Sequence, residues 1–206
     1  MAVAIIDYGA GNLHSVRNAF AHIGADVITA SDPSELGSAD KLVLPGVGAF
    51  GAGIDALRAR GFEQPIKEAV ARGVPLLGIC LGMQFLFESS DELGTHRGLG
   101  LLPGRVTRFP ASALKVPHMG WNQLTIAREH PLLRGLPDGT YAYFVHSYYV
   151  APADPAVVLA RTGYGIEFAS VVGQGNVTGI QCHPEKSQQA GLRILKNFVE
   201  SGEEPS

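Results

Sequence analysis

Short apolar runs alternate with longer amphipathic stretches through the first half of the chain. Val3 to Ile6 is an unbroken apolar run that stops at Asp7, and it reads as a strand. The turn Gly9-Ala10-Gly11 follows. From Asn12 to Ile23 the apolar positions fall at Leu13, Val16, Phe20 and Ile23, the spacing of one helix face. Asp26 to Thr29 and Leu42 to Leu44 predict two more short strands, the second closed by Pro45-Gly46. Ile54 to Arg60 and Pro65 to Arg72 read as helix; Pro65 is acceptable because a first-turn N–H has no intrahelical partner to lose. Val74 to Ile79 is apolar enough to be a strand buried on both faces, and Leu81 to Glu88 then reads as helix. Strands alternating with helices imply a parallel sheet with helices on its faces.

The second half changes character. Arg105 to Phe109, Gln123 to Ile126, Tyr143 to Val145, Val157 to Ala160, Phe168 to Val172 and Val177 to Ile180 are short strand-like runs separated by Gly, Pro and Asp. They predict an antiparallel extension of the sheet. Ser187 to Val199 closes the chain as a helix with Leu192, Leu195, Phe198 and Val199 on one face and Ser187 as its N-cap. The expected fold is an α/β three-layer sandwich with a mostly parallel central sheet and an antiparallel extension. No linker or repeat interrupts the pattern, so residues 1–206 read as one domain, with a tail at 201–206 expected to fray.

Composition narrows the class. A net charge of -3 with no basic run argues against a nucleic-acid footprint. No apolar stretch approaches the ~20 residues of a membrane span, and no basic region precedes the first apolar run as it would in a signal peptide. The two cysteines, Cys80 and Cys182, are too few for a disulfide framework or an all-cysteine zinc site. A reducing, cytoplasmic setting fits, and nothing calls for a metal or cofactor.

Gly78-Ile79-Cys80-Leu81-Gly82 sits where an apolar strand runs straight into a helix. A nucleophile elbow needs this pattern: small residues two before and two after let the chain turn sharply and present the side chain at the strand's carboxyl end. A following helix N-terminus favours thiolate, and the N–H of Leu81 is placed to donate to an oxyanion. The alternative is that Cys80 is a small buried hydrophobe. Gln181-Cys182-His183-Pro184-Glu185 bears on the choice. In extended chain, positions i and i+2 share a face, so Glu185 can orient the His183 ring while the ring takes the Cys80 proton. A surface His-Pro-Glu turn is the plainer reading of that stretch alone. Cys182 then faces the core and is inert.

Pro45-Gly46-Val47-Gly48-Ala49-Phe50-Gly51 contains a formal Gly-x-Gly-x-x-Gly. A dinucleotide site is rejected: the motif follows an internal strand, and the next strand ends at Cys80 where a ribose-binding acid belongs. A flexible glycine strand at a sheet's carboxyl edge suits the offer of backbone N–H groups to an oxyanion. Gln84, four residues beyond Cys80, reaches the same pocket or is a surface amide. His146-Ser147-Tyr148-Tyr149 lines a pocket, or His146 is a satisfied structural histidine. Lys115 to Asn122 holds the only Trp and is a surface loop or a partner contact.

These residues resemble a known family. Pro45-Gly46-Val47-Gly48, Gly78-Ile79-Cys80-Leu81-Gly82-Met83-Gln84 and His183-Pro184-Glu185-Lys186-Ser187 look like the class I, triad-type glutamine amidotransferases, and the likeness spans essentially the whole chain. Within that class, the Pro-Gly-Val-Gly strand, Pro117-His118-Met119-Gly120-Trp121-Asn122 and His146-Ser147-Tyr148-Tyr149 are similar to glutaminase subunits of imidazole glycerol-phosphate synthase. The resemblance implies a Cys80–His183–Glu185 triad that hydrolyses L-glutamine through a thioester. It implies an oxyanion hole from Leu81 and Val47 or Gly48, and substrate contacts at Gln84, Glu92, His146, Ser147 and Tyr148. It further implies a heterodimer in which ammonia passes to a (β/α)8 cyclase subunit in histidine biosynthesis, with Asn12, Met119, Trp121 and Lys186 facing that partner. The competing expectations are a glutaminase of pyridoxal phosphate synthesis, a stand-alone cysteine hydrolase on this scaffold, and a non-catalytic regulatory module.

Overall fold

The computed structural model describes residues 2–111 and 114–201; of the tail expected to fray, residues 202–206 lie outside the described residues. The chain opens with β1 (Ala2–Ile6), α1 (Leu13–His22), β2 (Asp26–Ala30) and β3 (Lys41–Gly46). Helices α2 (Phe50–Ala59) and α3 (Glu63–Ala71) lead to β4 (Leu76–Cys80) and the short α4 (Leu81–Phe85). Then come β5 (Phe87–Ser90), β6 (His96–Arg97), β7 (Leu102–Arg108), β8 (His118–Ile126) and β9 (Thr140–His146). The last strands are β10 (Tyr148–Pro152), β11 (Val158–Gly163), β12 (Glu167–Gln174) and β13 (Val177–Ile180). A 3-10 turn at Pro184–Lys186 and α5 (Gln188–Glu200) follow.

The sheet runs β2-β1-β3-β4-β13-β12-β10-β7-β5-β6, with β11 also on β12 and continuing through β8 to β9. From β2 to β13 every pairing is parallel. Beyond β13 the pairings are antiparallel except β5 on β7. Of the parallel strands, β3, β4 and β13 are buried throughout and β1 nearly so, while the edge strand β2 is largely exposed; alternate residues of the central strands serve two different cores. Ala4, Ile6, Leu42, Leu44 and Leu76 pack with Phe50, Ile54 and Leu57 of α2 and with Ile66 and Ala69 of α3. Val3, Ile5, Val43, Leu77 and Ile79 pack with Val16 and Phe20 of α1 and with Ile194, Leu195 and Phe198 of α5. The period of two along each strand thus builds the three layers.

Local departures from the sequence reading have tertiary causes. The helix expected over Leu81–Glu88 ends at Phe85. The N–H groups of Leu99, Leu101 and Leu102 take the carbonyls of Phe85 and Leu86, and Phe87 onward pairs with β7. In the other direction, α2 starts at Phe50 and not at Ile54. Gly51 and Gly53 look like helix breakers, but a Cβ would lie 2.5 Å from His96 at the first and 2.7 Å from Phe85 at the second. They are glycines because other elements press against α2.

The closest approach is at the end of β4. A Cβ on Gly82 would lie 1.7 Å from the Leu44 carbonyl oxygen, and one on Gly78 would lie 2.7 Å from Gly82 O. Gly82→Ala is therefore expected to destabilise the fold by about 3 kcal/mol or more, since backbone on both sides cannot yield. Gly48→Ala, where a Cβ meets nothing within 4 Å, should cost only its left-handed backbone preference. Thermal denaturation of the two variants measures the contrast.

Candidate active site

Cys80 occupies the junction of β4 and α4 with φ 55° and ψ -111°, a positive φ that a residue with a side chain rarely adopts. The strand's register on β3 and β13 fixes its last residue, and the absence of side chains at Gly78 and Gly82 lets the chain fold back. The helix that follows has five residues, fewer than two turns, so the dipole expected of a full helix is small there. What remains is local: the first-turn N–H groups have no intrahelical acceptor.

His183 and Glu185 come together as the sequence predicts, but by a different local route. The chain is not extended here; Pro184–Lys186 forms a 3-10 turn, and His183 is its first flanking residue. His183 Nδ1 lies 2.9 Å from Glu185 Oε1, and both side chains are almost fully buried. The carboxylate only accepts, so Nδ1 carries the hydrogen. Nε2, on the Cys80 side, closes no hydrogen bond of ordinary geometry. Burial opposes charge on the ring, yet the neighbouring Cys80 sulfur and Glu185 carboxylate outweigh it and push His183 up to about 10. Cys182 points into the core, where burial first and the charges of Glu185 and Cys80 second push its thiol up to about 12.

Ser187, expected as an N-cap, makes no capping bond. Its hydroxyl donates to His183 O at 2.6 Å and accepts from Tyr143 N at 2.9 Å, while His183 N donates to Tyr143 O at 2.9 Å. Strand β9 therefore grips His183 on both sides, once directly and once through the Ser187 oxygen.

A cavity of about 290 Å³ opens over this group. Its lining includes Cys80, His183, Val47, Gly48, Leu81, Gln84, Glu92, His146, Ser147, Tyr148 and Lys186, all picked from sequence, together with Pro117 and Val145. The volume sits at the bottom of the roughly 300–1,000 Å³ range of small-molecule sites, which suits a substrate of amino-acid size. A larger cleft of about 750 Å³ near His130 and Arg134 holds none of the predicted site residues. Gln84 is buried, and its Nε2 donates to Tyr148 O and Gln181 Oε1, both at 3.1 Å. Glu92 accepts from the N–H of Phe50 at 2.7 Å. His146 borders the cavity with both ring nitrogens already engaged, by Tyr148 O at 2.8 Å and His118 Nδ1 at 3.0 Å.

Asn12, Met119 and Trp121 lie outside the lining. Asn12 is exposed, and its side chain caps α1 by accepting from Ser15 N. Met119 and Trp121 are 62% and 47% exposed, large values for such side chains. Lys186 is exposed at the cavity rim with Nζ 5.7 Å from the Tyr143 ring centre, and Trp121 packs edge-on to that same ring.

Sequence reasoning missed the part of three residues here, two beside Cys80 and one beside His183. Gln181 Nε2 points at Cys80 Sγ from 3.7 Å. The Tyr8 hydroxyl is buried without a partner beneath Gly46; burial, and after it the Cys80 charge, keep it protonated. Ser187 is the third. Only the polar character of Gln181 inside an apolar strand end offered a signal.

A thiol on a strained elbow, with an imidazole backed by a carboxylate, is an arrangement that can carry out nucleophilic acyl transfer, the chemistry of cysteine-dependent hydrolases. The comparisons sharpen this. The family described as "Glutamine amidotransferase class-I" matches residues 4–201, and the chain belongs to that family. Curated relatives include the imidazole glycerol phosphate synthase subunit HisH of Syntrophotalea carbinolica, 54% identical over 95% of this chain and 98% of its own. The HisH of Sulfurimonas denitrificans is 53% identical, covering 96% and 97%. Among solved structures, a glutamine amidotransferase crystal structure superposes with TM-score 0.76 over 96% of this chain and 97% of its own at 22% identity. PurLQS from Thermotoga maritima superposes with TM-score 0.79 over 97% of both chains at 19% identity. At those identities the two structures speak to the fold.

Two measurements test the frame. Ser187→Ala should cost about 1–3 kcal/mol in denaturation, because the buried Tyr143 N–H loses its acceptor, and it should also slow glutamine hydrolysis. Four imidazoles are shifted and shape the pH dependence of stability; His130 is lowered, by burial first and by Arg128 second, and adds to the acid side. His183 is raised above its ordinary 6.5, so its contribution is complete below pH 6.5 and is lost as pH rises toward about 10. His118 and His146 are lowered, chiefly by burial, to about 4 and about 3, so theirs is complete above pH 6.5 and is lost as pH falls toward those values. Denaturation midpoints across pH 4–10 should fall on both sides, and a His183→Gln chain with an unchanged alkaline decline would contradict this account.

Proposed function

We propose that the chain is the glutaminase subunit of an imidazole glycerol phosphate synthase, working in the cytoplasm, with Cys80, His183 and Glu185 as its catalytic residues. The observation that carries the assignment of roles is the His183 Nδ1–Glu185 Oε1 pair at 2.9 Å, which leaves Nε2 for the Cys80 side.

The Cys80 sulfur attacks the side-chain carbonyl carbon of L-glutamine. The oxyanion is met by the N–H of Leu81 and by that of Val47 or Gly48; this exposed segment just past β3, with a positive φ at Gly48, allows a peptide to turn toward the substrate. The C–N bond breaks as the His183 imidazolium delivers its proton to the departing amine, releasing ammonia and leaving a thioester. The Cys80 sulfur and the Glu185 carboxylate hold the ring protonated before the attack, so the proton is in place for that delivery. Water then attacks the thioester, His183 takes its proton, and glutamate leaves as the sulfur is freed. Gln84, Glu92, His146, Ser147 and Tyr148 surround the substrate's amino and carboxyl end; since the His146 nitrogens are engaged, its part is to shape the wall.

Asn12, Met119, Trp121 and Lys186 form the face toward a (β/α)8 cyclase subunit that receives the ammonia. The exposed Met119 and Trp121 support this, since such side chains are favoured at interfaces.

Cys80→Ala should lower glutamine-dependent turnover by roughly 10⁴-fold or more and leave ammonia-dependent synthesis by the assembled enzyme intact. Persistent glutamine hydrolysis in the Cys80→Ala complex would sink the assignment.

A further inference from the structure

Four residues form an unbroken hydrogen-bonded line from strand β8 to the cavity wall. Asn122 Nδ2 lies 3.1 Å from His118 Nε2, His118 Nδ1 lies 3.0 Å from His146 Nε2, and His146 Nδ1 lies 2.8 Å from the Tyr148 carbonyl. Both ends are pinned by backbone. Asn122 Oδ1 accepts from Gln123 N at 2.8 Å and Nδ2 donates to Gly163 O at 2.9 Å, which fixes the amide's orientation. At the other end the Tyr148 carbonyl can only accept.

These anchors determine every proton in the line. His146 must donate from Nδ1, and as a neutral ring it must accept at Nε2. His118 must then donate from Nδ1 and accept from Asn122 at Nε2. Burial keeps both rings neutral: His146 is pushed down to about 3 and His118 to about 4. The donors all point one way, toward the site, and both imidazoles hold their hydrogen on Nδ1.

The Tyr148 carbonyl where the line ends also accepts from Gln84, whose Nε2 in turn donates to Gln181, and Gln181 Nε2 faces Cys80 Sγ. We propose that His118 is a positioning residue for glutamine: acting through His146, it fixes the Tyr148 carbonyl against which the Gln84 amide is held. His118 does not line the cavity, so it touches no substrate. The proposal rests on the reading of this cavity as the glutamine pocket.

A purely structural role is the rival, because the His118 ring also stacks on Tyr164 at 4.1 Å and on Phe144 at 4.9 Å. Two substitutions separate the roles. His118→Phe keeps a stacking ring and removes both nitrogens. His118→Asn removes the ring and keeps a donor near the Nδ1 position. Glutamine hydrolysis is measured on the full chain assembled with its synthase partner, alongside melting temperature. His118→Phe should raise KM for glutamine about tenfold, the effect of losing one well-made hydrogen bond, with kcat changed less and melting lowered less than in His118→Asn, which also loses the stacked ring. His118→Asn should melt lower yet keep KM within about twofold. If KM follows melting temperature across the two variants, the role is structural and the proposal fails. Nitrogen-15 NMR of histidine-labelled unsubstituted chain gives a second reading that needs no variant. Both rings should be neutral and protonated on Nδ1, and an Nε2-protonated form of either would overturn the proposal. Hydrolysis by the unsubstituted chain tests the pocket reading separately.

Discussion

The backbone at Cys80 holds a φ of 55° because the segments around it leave no other path. Its strand is locked in register between β3 and β13, with Gly46 opposite Cys80 on one side and Ile180 opposite Ile79 on the other. Directly after it, the Gly82 backbone presses on the Leu44 carbonyl, and Met83 packs over Gly179. A strained conformation persists only where its surroundings over-determine it. Here three parallel strands and a one-and-a-half-turn helix do so, and in return the sulfur stands at the sheet's carboxyl edge. The same close packing puts the Pro45-Gly46 end of β3 beside the Leu81 side chain, which places the Val47-Gly48 segment at the cavity.

The polar half of the site depends on this frame but is built by different means. His183 belongs to no regular element; β9 holds its backbone through Tyr143 and the Ser187 hydroxyl. α5 packs tightly on the same turn, since a Cβ at Gly191 would lie 1.9 Å from Pro184 O. Two polar atoms remain buried without a hydrogen bond here, His183 Nε2 and Glu185 Oε2. An unpaired buried polar atom normally costs about 1–3 kcal/mol.

Much of this architecture is legible in the sequence, and the pattern of what is not has one cause. The elbow can be read because its requirement is local: small residues at 78 and 82 around a nucleophile after an apolar run. The inner parallel strands can be read because burial on both faces leaves apolar runs. By contrast, Gly51 and Gly53 look like breakers because their reasons, His96 and Phe85, lie far along the chain. Leu81–Glu88 has helical composition throughout, yet backbone donors from Leu99 to Leu102 claim its last carbonyls. The grouping of His183 with Glu185 follows from their spacing, though the spacing works through a 3-10 turn and not an extended strand. Ser187 has the chemistry of a cap, and only the tertiary position of Tyr143 redirects its hydroxyl. Requirements that involve near neighbours leave a mark in sequence; those that involve distant backbone do not.

The strand pair β8–β9 joins these themes. In its register His118 faces His146, Met119 faces Val145, and Trp121 faces Tyr143. One side of the ladder carries the exposed Met119 and Trp121; the other carries the buried histidines. Tyr143 sits under Trp121 and Lys186 with its ring and grips His183 with its backbone. The exposed Met119–Trp121 surface and the imidazole beside Cys80 are therefore separated by one cross-strand spacing. A ladder of directly opposed residues cannot shift one side by itself, because a slip would exchange its buried and exposed faces. Any load on Met119 and Trp121 is thus borne by the same strand that fixes His183 and leads into Ser147 and Tyr148 at the cavity wall.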